Sequence, residues 1–87
     1  MDTQVIIEIK DGENIAAEAK FKRPDAAALS AVNKLQKTDE VRAIDMFFSQ
    51  CCTECPDWVK QDALLKIRIG GAALQKMSKQ FTVSVKN

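Results

Sequence analysis

The stretch "VIIEIKDGENIAAEAKF", residues 5–21, decides the fold class. Val5, Ile7 and Ile9 fall on one face of an extended chain, and Glu8 and Lys10 fall on the other; only Ile6 breaks the alternation. On the return, Ala17, Ala19 and Phe21 share one face, and Glu18, Lys20 and Lys22 the opposite one. Between the two runs stands "DGEN", whose Asp-Gly pair tolerates positive φ and favours a hairpin turn. Alanine is a weak strand former, yet the period is two throughout. The stretch therefore predicts a β-hairpin with one apolar face.

Working outward, Pro24 ends the ladder, because it has no N–H to donate, and it suits the first turn of a helix. Asp25 complements the positive end of that helix's dipole. Over residues 25–36, Ala28, Val32 and Leu35 recur at helical spacing with Leu29 beside them, and Lys34 and Lys37 sit near the negative end. In "KTDE", Thr38 or Asp39 caps a second helix with Glu40 in its first turn. There Val41, Ile44, Phe48 and Cys51 form an apolar stripe, widened by Phe47. Pro56 and Asp57 restart a helix. "DALLKIRIGG" also alternates, but Leu65, Ile69, Ala73 and Met77 continue at a spacing of four and favour a helix through Lys79. Gly70 and Gly71 each cost roughly 1 kcal/mol against alanine, so a bend or break is expected there, with close approach of another helix as the alternative. "FTVSVKN" at the end alternates again, with Phe81, Val83 and Val85 on one face. The expected fold is α+β: an N-terminal hairpin, three to four helices, and a C-terminal strand that joins the hairpin in a three-stranded sheet covered by the helices.

Eighty-seven residues fit a single domain, 1–87, since two would leave neither half enough core. With 46% apolar and 29% charged residues the chain is of globular type rather than disordered. A net charge of +1 gives no electrostatic case for nucleic acid or for a polybasic membrane anchor. Lys20, Lys22 and Arg23 lack interleaved aromatics beyond Phe21 and read as a solvated strand edge. No apolar run approaches the ~20 residues that span a bilayer. "MDTQVIIEIK" does not have the form of a signal peptide, which leads to the expectation of a cytoplasmic protein.

All three cysteines and the single tryptophan lie in "QCCTECPDW", residues 50–58. A structural zinc site needs four ligands, and Cys52 and Cys55 form one C-x-x-C knuckle without a second. A redox pair prefers its first cysteine at a helix N-terminus, whereas Cys52 stands where a helix ends. Packing explains more: Cys51 continues the second helix's apolar stripe, and Cys52 and Cys55 occupy the junction with Trp58 over it. The chain has no histidine, the commonest general base and transition-metal ligand. Ser30, Ser49, Ser78 and Ser84 thus lack a partner base, Asp39, Glu40 and Asp45 are accounted for by capping and solvation, and "GGAAL" lacks the spacing of a phosphate loop. No catalytic residue, cofactor or metal is expected, and the chain reads as a non-enzyme.

The order of features resembles the small tail-assembly chaperones of tailed bacteriophages and prophages. The motifs are "FKRPDAAALSAV" (residues 21–32), "DEVRAIDMFFSQC" (39–51) and "GGAALQKMSKQFTVSVKN" (70–87), so the likeness covers the chain from about Phe21 onward. It implies a non-enzymatic protein of the host bacterial cytoplasm. Such a protein binds the long helical tape measure protein, or another tail-assembly protein, and keeps it soluble until the tail tube polymerises. Many members are made in two lengths by ribosomal frameshifting. The cluster Cys51, Cys52 and Cys55 departs from the family. A module of this kind would use an apolar helix face as a groove for a partner helix. The candidate faces are Met46 and Phe47 on the second helix, the Trp58–Val59 corner, and the small residues Gly70, Gly71, Ala72 and Ala73; plain core packing is the competing account of each. Self-association is compatible with the same faces. Two other functions stay open: a structural subunit that oligomerises through its sheet edges, and a thiol redox or metal-binding protein centred on Cys52 and Cys55.

Overall fold

In the computed structural model, which describes residues 4–80 and 83–86, the opening hairpin closes over a two-residue turn. Strand β1, Val5–Asp11, pairs antiparallel with β2, Asn14–Phe21, from Asp11↔Asn14 to Val5↔Phe21. Gly12 has φ +64°, while no other described residue has positive φ, so the turn has the φ pattern of type II′. The register shifts between Ile9 and Lys10: Ile9 faces Ala17, but Lys10 faces Ile15. That bulge moves Ile15 off the inner face and leaves it 59% exposed, while Val5, Ile9, Ala19 and Phe21 stay buried.

Helix α1 spans Ala26–Gln36 and α2 spans Glu40–Cys51. Each starts at an aspartate whose carboxylate accepts a backbone N–H three residues on, Asp25 from Ala28 at 2.8 Å and Asp39 from Arg42 at 3.1 Å. Caps of this kind are worth about 1 kcal/mol apiece. The expected α2 stripe turns by part of a helical turn. Ala43, Phe47, Phe48 and Cys51 are buried, Ile44 is half-buried, and Val41 is 58% exposed. The largest side chains set the rotation. Phe47 stacks on Phe21 with centroids 5.6 Å apart, and Phe48 meets the same ring edge-on at 5.5 Å.

The third strand corrects the sequence reading. It is β3, Cys52–Glu54, which follows α2 directly and pairs antiparallel with the end of β2. The Lys22 N–H donates to the Cys51 carbonyl at 2.9 Å, the Thr53 hydroxyl donates to the Lys20 carbonyl at 3.2 Å, and Lys20 pairs with Glu54 at 3.2 Å. The strand expected at the C-terminus fell on residues 81–85. Phe81 and Thr82 lie outside the described residues, and residues 83–86 form no strand, with Val83 and Val85 92% and 86% exposed. Alternation alone does not make a strand, and the side of β2 that the hairpin leaves free beside Phe21 is taken by β3.

The helix expected from Pro56 to Lys79 is two helices: a single turn α3, Asp57–Lys60, then α4, Ala63–Ser78, capped by Asp62 accepting from Leu65 N–H at 3.1 Å. The expected bend at Gly70–Gly71 is absent, and α4 runs through both glycines. Helices α2 and α4 cover the apolar face of the sheet, α4 lying over β1, while α1 packs on α2. The result is an α+β layer arrangement of a β1-β2-β3 sheet with four helices among the described residues. Among them no helix is long and apolar enough to cross a membrane.

Candidate functional site

The eight residues proposed for a partner divide by burial. Phe47, Val59, Gly70 and Ala73 are buried, Met46 and Gly71 are half-buried, Ala72 is exposed, and Trp58 is 51% exposed. A buried side chain offers a partner no surface in this conformation. Phe47 and Val59 are fully enclosed in the core. Gly70 has a different task, since a Cβ built there would stand 2.8 Å from Ile44 Cγ2 and 3.4 Å from the Ile44 carbonyl oxygen. Glycine at 70 is what lets α4 approach α2. At Gly71 the nearest such neighbour is Ile44 Cδ1 at 3.8 Å, an ordinary contact. Lys66 of α4 also reaches α2, pairing with Asp45 at 2.9 Å and lying 5.4 Å from the Phe48 ring centroid.

The helix most open to a partner is α1. Val32 is its one buried residue, and its principal neighbour is α2. Along the outward side, Ala26, Leu29, Ser30, Asn33, Lys34, Lys37 and Thr38 lie together on one open face of the helix and the turn that follows it. The apolar part of this face is Ala26 and Leu29, the latter 44% exposed, and Lys34 and Lys37 bring positive charge to one end. Met46 lies on the opposite flank of α1, in shallow recesses it shares with Leu35 and with Ala27, Ala28 and Ala31. Sequence reading placed Leu29 beside the buried stripe and did not put it forward for a partner. Its signal was a leucine one position off the Ala28–Val32–Leu35 row, with lysines one and two turns further on.

The cysteines are all free thiols. Cys51 is buried, and burial pushes its thiol up from the ordinary 9.0, with Lys22's charge offsetting part of the shift. Burial likewise raises Cys52. Cys55 is pushed up to about 11, first by burial and then by the neighbouring Cys52. None of the three is thus an activated thiolate at neutral pH. Among the described residues no group of three His, Cys, Asp or Glu side chains is arranged to hold a metal ion. Asp39, which with Glu40 and Asp45 was the acidic group weighed above, caps α2, and Asp45 is the Lys66 partner.

No family model matches the chain, and no curated protein or solved structure shows significant similarity to it. The likeness to tail-assembly chaperones accordingly rests on the quoted motifs.

Proposed function

We propose that this chain is a non-enzymatic assembly chaperone. Its client is a long apolar-faced helical protein, as the tape measure protein is for the phage tail-assembly chaperones it resembles, and it works in the host cytoplasm. The observation that carries this reading is the outward side of α1, where Leu29 stands exposed beside Ala26 with Lys34 and Lys37 at one end. A helix face of this composition suits an amphipathic helix laid alongside it: the client's apolar stripe covers Leu29, and acidic residues flanking the stripe meet the lysines. Complete burial of a leucine side chain gives about 1.5–3 kcal/mol, so one such contact is a weak hold. A long client with repeated apolar helices compensates by engaging many copies along its length, and each weak grip remains easy to displace when tube subunits arrive.

Co-expression with a long helical protein of the tape measure kind, followed by affinity pull-down, tests the proposal. The wild-type chain keeps the client soluble and co-purifies with it. Leu29→Asp places a charge against the client's apolar stripe, and co-purified client falls by about tenfold or more, a change of about 1.4 kcal/mol or more. Circular dichroism of Leu29→Asp is unchanged, because the site is on the surface. Substituting all three cysteines by serine leaves capture intact wherever the variant folds. Undiminished capture by Leu29→Asp would overturn the α1 assignment, and failure of the wild type to hold any client would overturn the chaperone reading.

A further inference from the structure

The sheet has a long free edge. Its order is β1-β2-β3, so among the described residues β1 pairs on one side alone, and the N–H and C=O groups along its other side have no ladder partner. Natural edge strands are commonly closed by proline, lysine or a bulge. From Val5 to Ile9 this edge carries none of these; the bulge and Lys10 come at its far end, and Glu8 is the one charge. Residues 7–10 stand beside α4, around an open recess that they share with Leu65, Arg68 and Ile69. Ile7 and Leu65 are half-buried against the core, so a strand added here meets apolar side chains on its inner face as well as backbone groups to bond. On the outer face Glu8 stands directly opposite Glu18, a repulsive cross-strand pair. Among the described residues neither carboxylate has an ion-pair partner.

The chain also carries a segment that matches this edge. "VSVK", residues 83–86, alternates as a strand does, yet it forms none, and Val83 and Val85 are 92% and 86% exposed. Within one molecule, then, the segment leaves the edge of β1 open. We propose that residues 83–86 of a second copy of this chain add as a strand to the free edge of β1. Charge sets the register. In a parallel ladder that brings Lys86 beside Glu8, the ammonium relieves the Glu8–Glu18 repulsion. The same register puts Val83 beside Val5 and Val85 beside Ile7 on the inner face, and it ends before Lys10 and the bulge. Arg68 lies on the inner side, away from Lys86. Backbone hydrogen bonds supply most of the hold, and the two valines and the lysine give it specificity. The sheet's other edge, β3, is three residues long and offers a shorter ladder. This contact makes no use of the outward side of α1, so it stands or falls separately from the client.

Sedimentation of the whole chain, with no client present, from micromolar to millimolar concentration tests this, together with hydrogen–deuterium exchange at both ends of the range. The wild type self-associates, and residues 83–86 and β1 gain protection together as concentration rises, while β3 does not change. Val83→Asp combined with Val85→Asp weakens association about tenfold or more. Its circular dichroism is unchanged, because both positions stand in solvent. Lys86→Glu weakens association about 2- to 5-fold, the scale of one exposed ion pair, and Glu8→Lys in the same chain restores it. A chain that stays monomeric throughout would overturn the proposal. So would protection of β1 that is independent of concentration, which would mean that the molecule's own segment docks there. Protection gained on β3 in place of β1, or association unchanged in the double-aspartate variant, would overturn it as well. If that variant fails to fold, the wild-type exchange map and the charge reversal still decide it.

Discussion

Phe21→Ala is expected to remove about 3–5 kcal/mol of stability, the cost of emptying a fully buried aromatic site. Phe21 has no exposed surface, stacks on Phe47 at an interplanar angle of 7° and receives Phe48 edge-on at 79°. It is also the residue of β2 that pairs with β1 at Val5 and with β3 at Cys52. Losing the ring removes the contact that joins α2 to the sheet, at the place where all three strands meet. Domains have only about 5–15 kcal/mol in total, so the variant approaches or reaches global unfolding at moderate temperature. Thermal and urea denaturation followed by circular dichroism measure this. A loss below about 1 kcal/mol would mean that this aromatic cluster is not the centre of the core, since truncations there cost several times more.

The adjacent glycines of α4 provide the second large effect, as a difference of sign. Both positions lie inside a helix, and alanine at either gains about 1 kcal/mol in intrinsic helix propensity. Only Gly70 faces a wall. Its added methyl would meet Ile44 Cγ2 at 2.8 Å, a branch held on the stiff Cβ of a helical isoleucine, with the Ile44 carbonyl oxygen behind it at 3.4 Å. Overpacking of this kind costs about 1–3 kcal/mol. Gly71→Ala is therefore expected to stabilise the protein, and Gly70→Ala to fall about 1–3 kcal/mol below Gly71→Ala. Paired denaturant melts of the two variants give the comparison. Equal gains would show that α2 and α4 are not in this close contact.

These glycines also show where sequence reading succeeds and where it stops. Two glycines in a helical pattern predict either a bend or a close approach, and propensity alone favours the bend. The choice depends on Ile44, 26 positions away in the chain, and no local pattern reports such a contact. The hairpin was legible because its information is local: a period of two on both sides of an Asp-Gly turn. The starts of α1 and α2 were legible to within a residue for the same reason, although Asp25, read as a charge at the positive end of the dipole, is the N-cap itself, and of Thr38 and Asp39 it is Asp39 that caps. Strand β3 was not, because three residues are too few to show alternation and its pairing is with β2, some thirty residues back. The terminal "TVSVK" carries a clear strand pattern, yet residues 83–86 form no strand and Val83 and Val85 stand in solvent, because alternation reports which face is apolar and not whether the segment pairs. Of the partner candidates, the Trp58–Val59 corner, read as a junction with Trp58 packed over it, divides: Trp58 is 51% exposed and Val59 is enclosed. Leu29 was passed over, because a leucine one step from a buried row looks like its margin until the neighbouring helices are placed.

The most direct test of the central claim, that the outward side of α1 receives a helical client, is a methyl NMR titration of the folded chain with an amphipathic helical segment of that client. The account predicts chemical-shift changes centred on the Leu29 methyls, and none at the enclosed Val59 or at the exposed Leu64. Binding that shifts Leu64 and leaves Leu29 unmoved would contradict it.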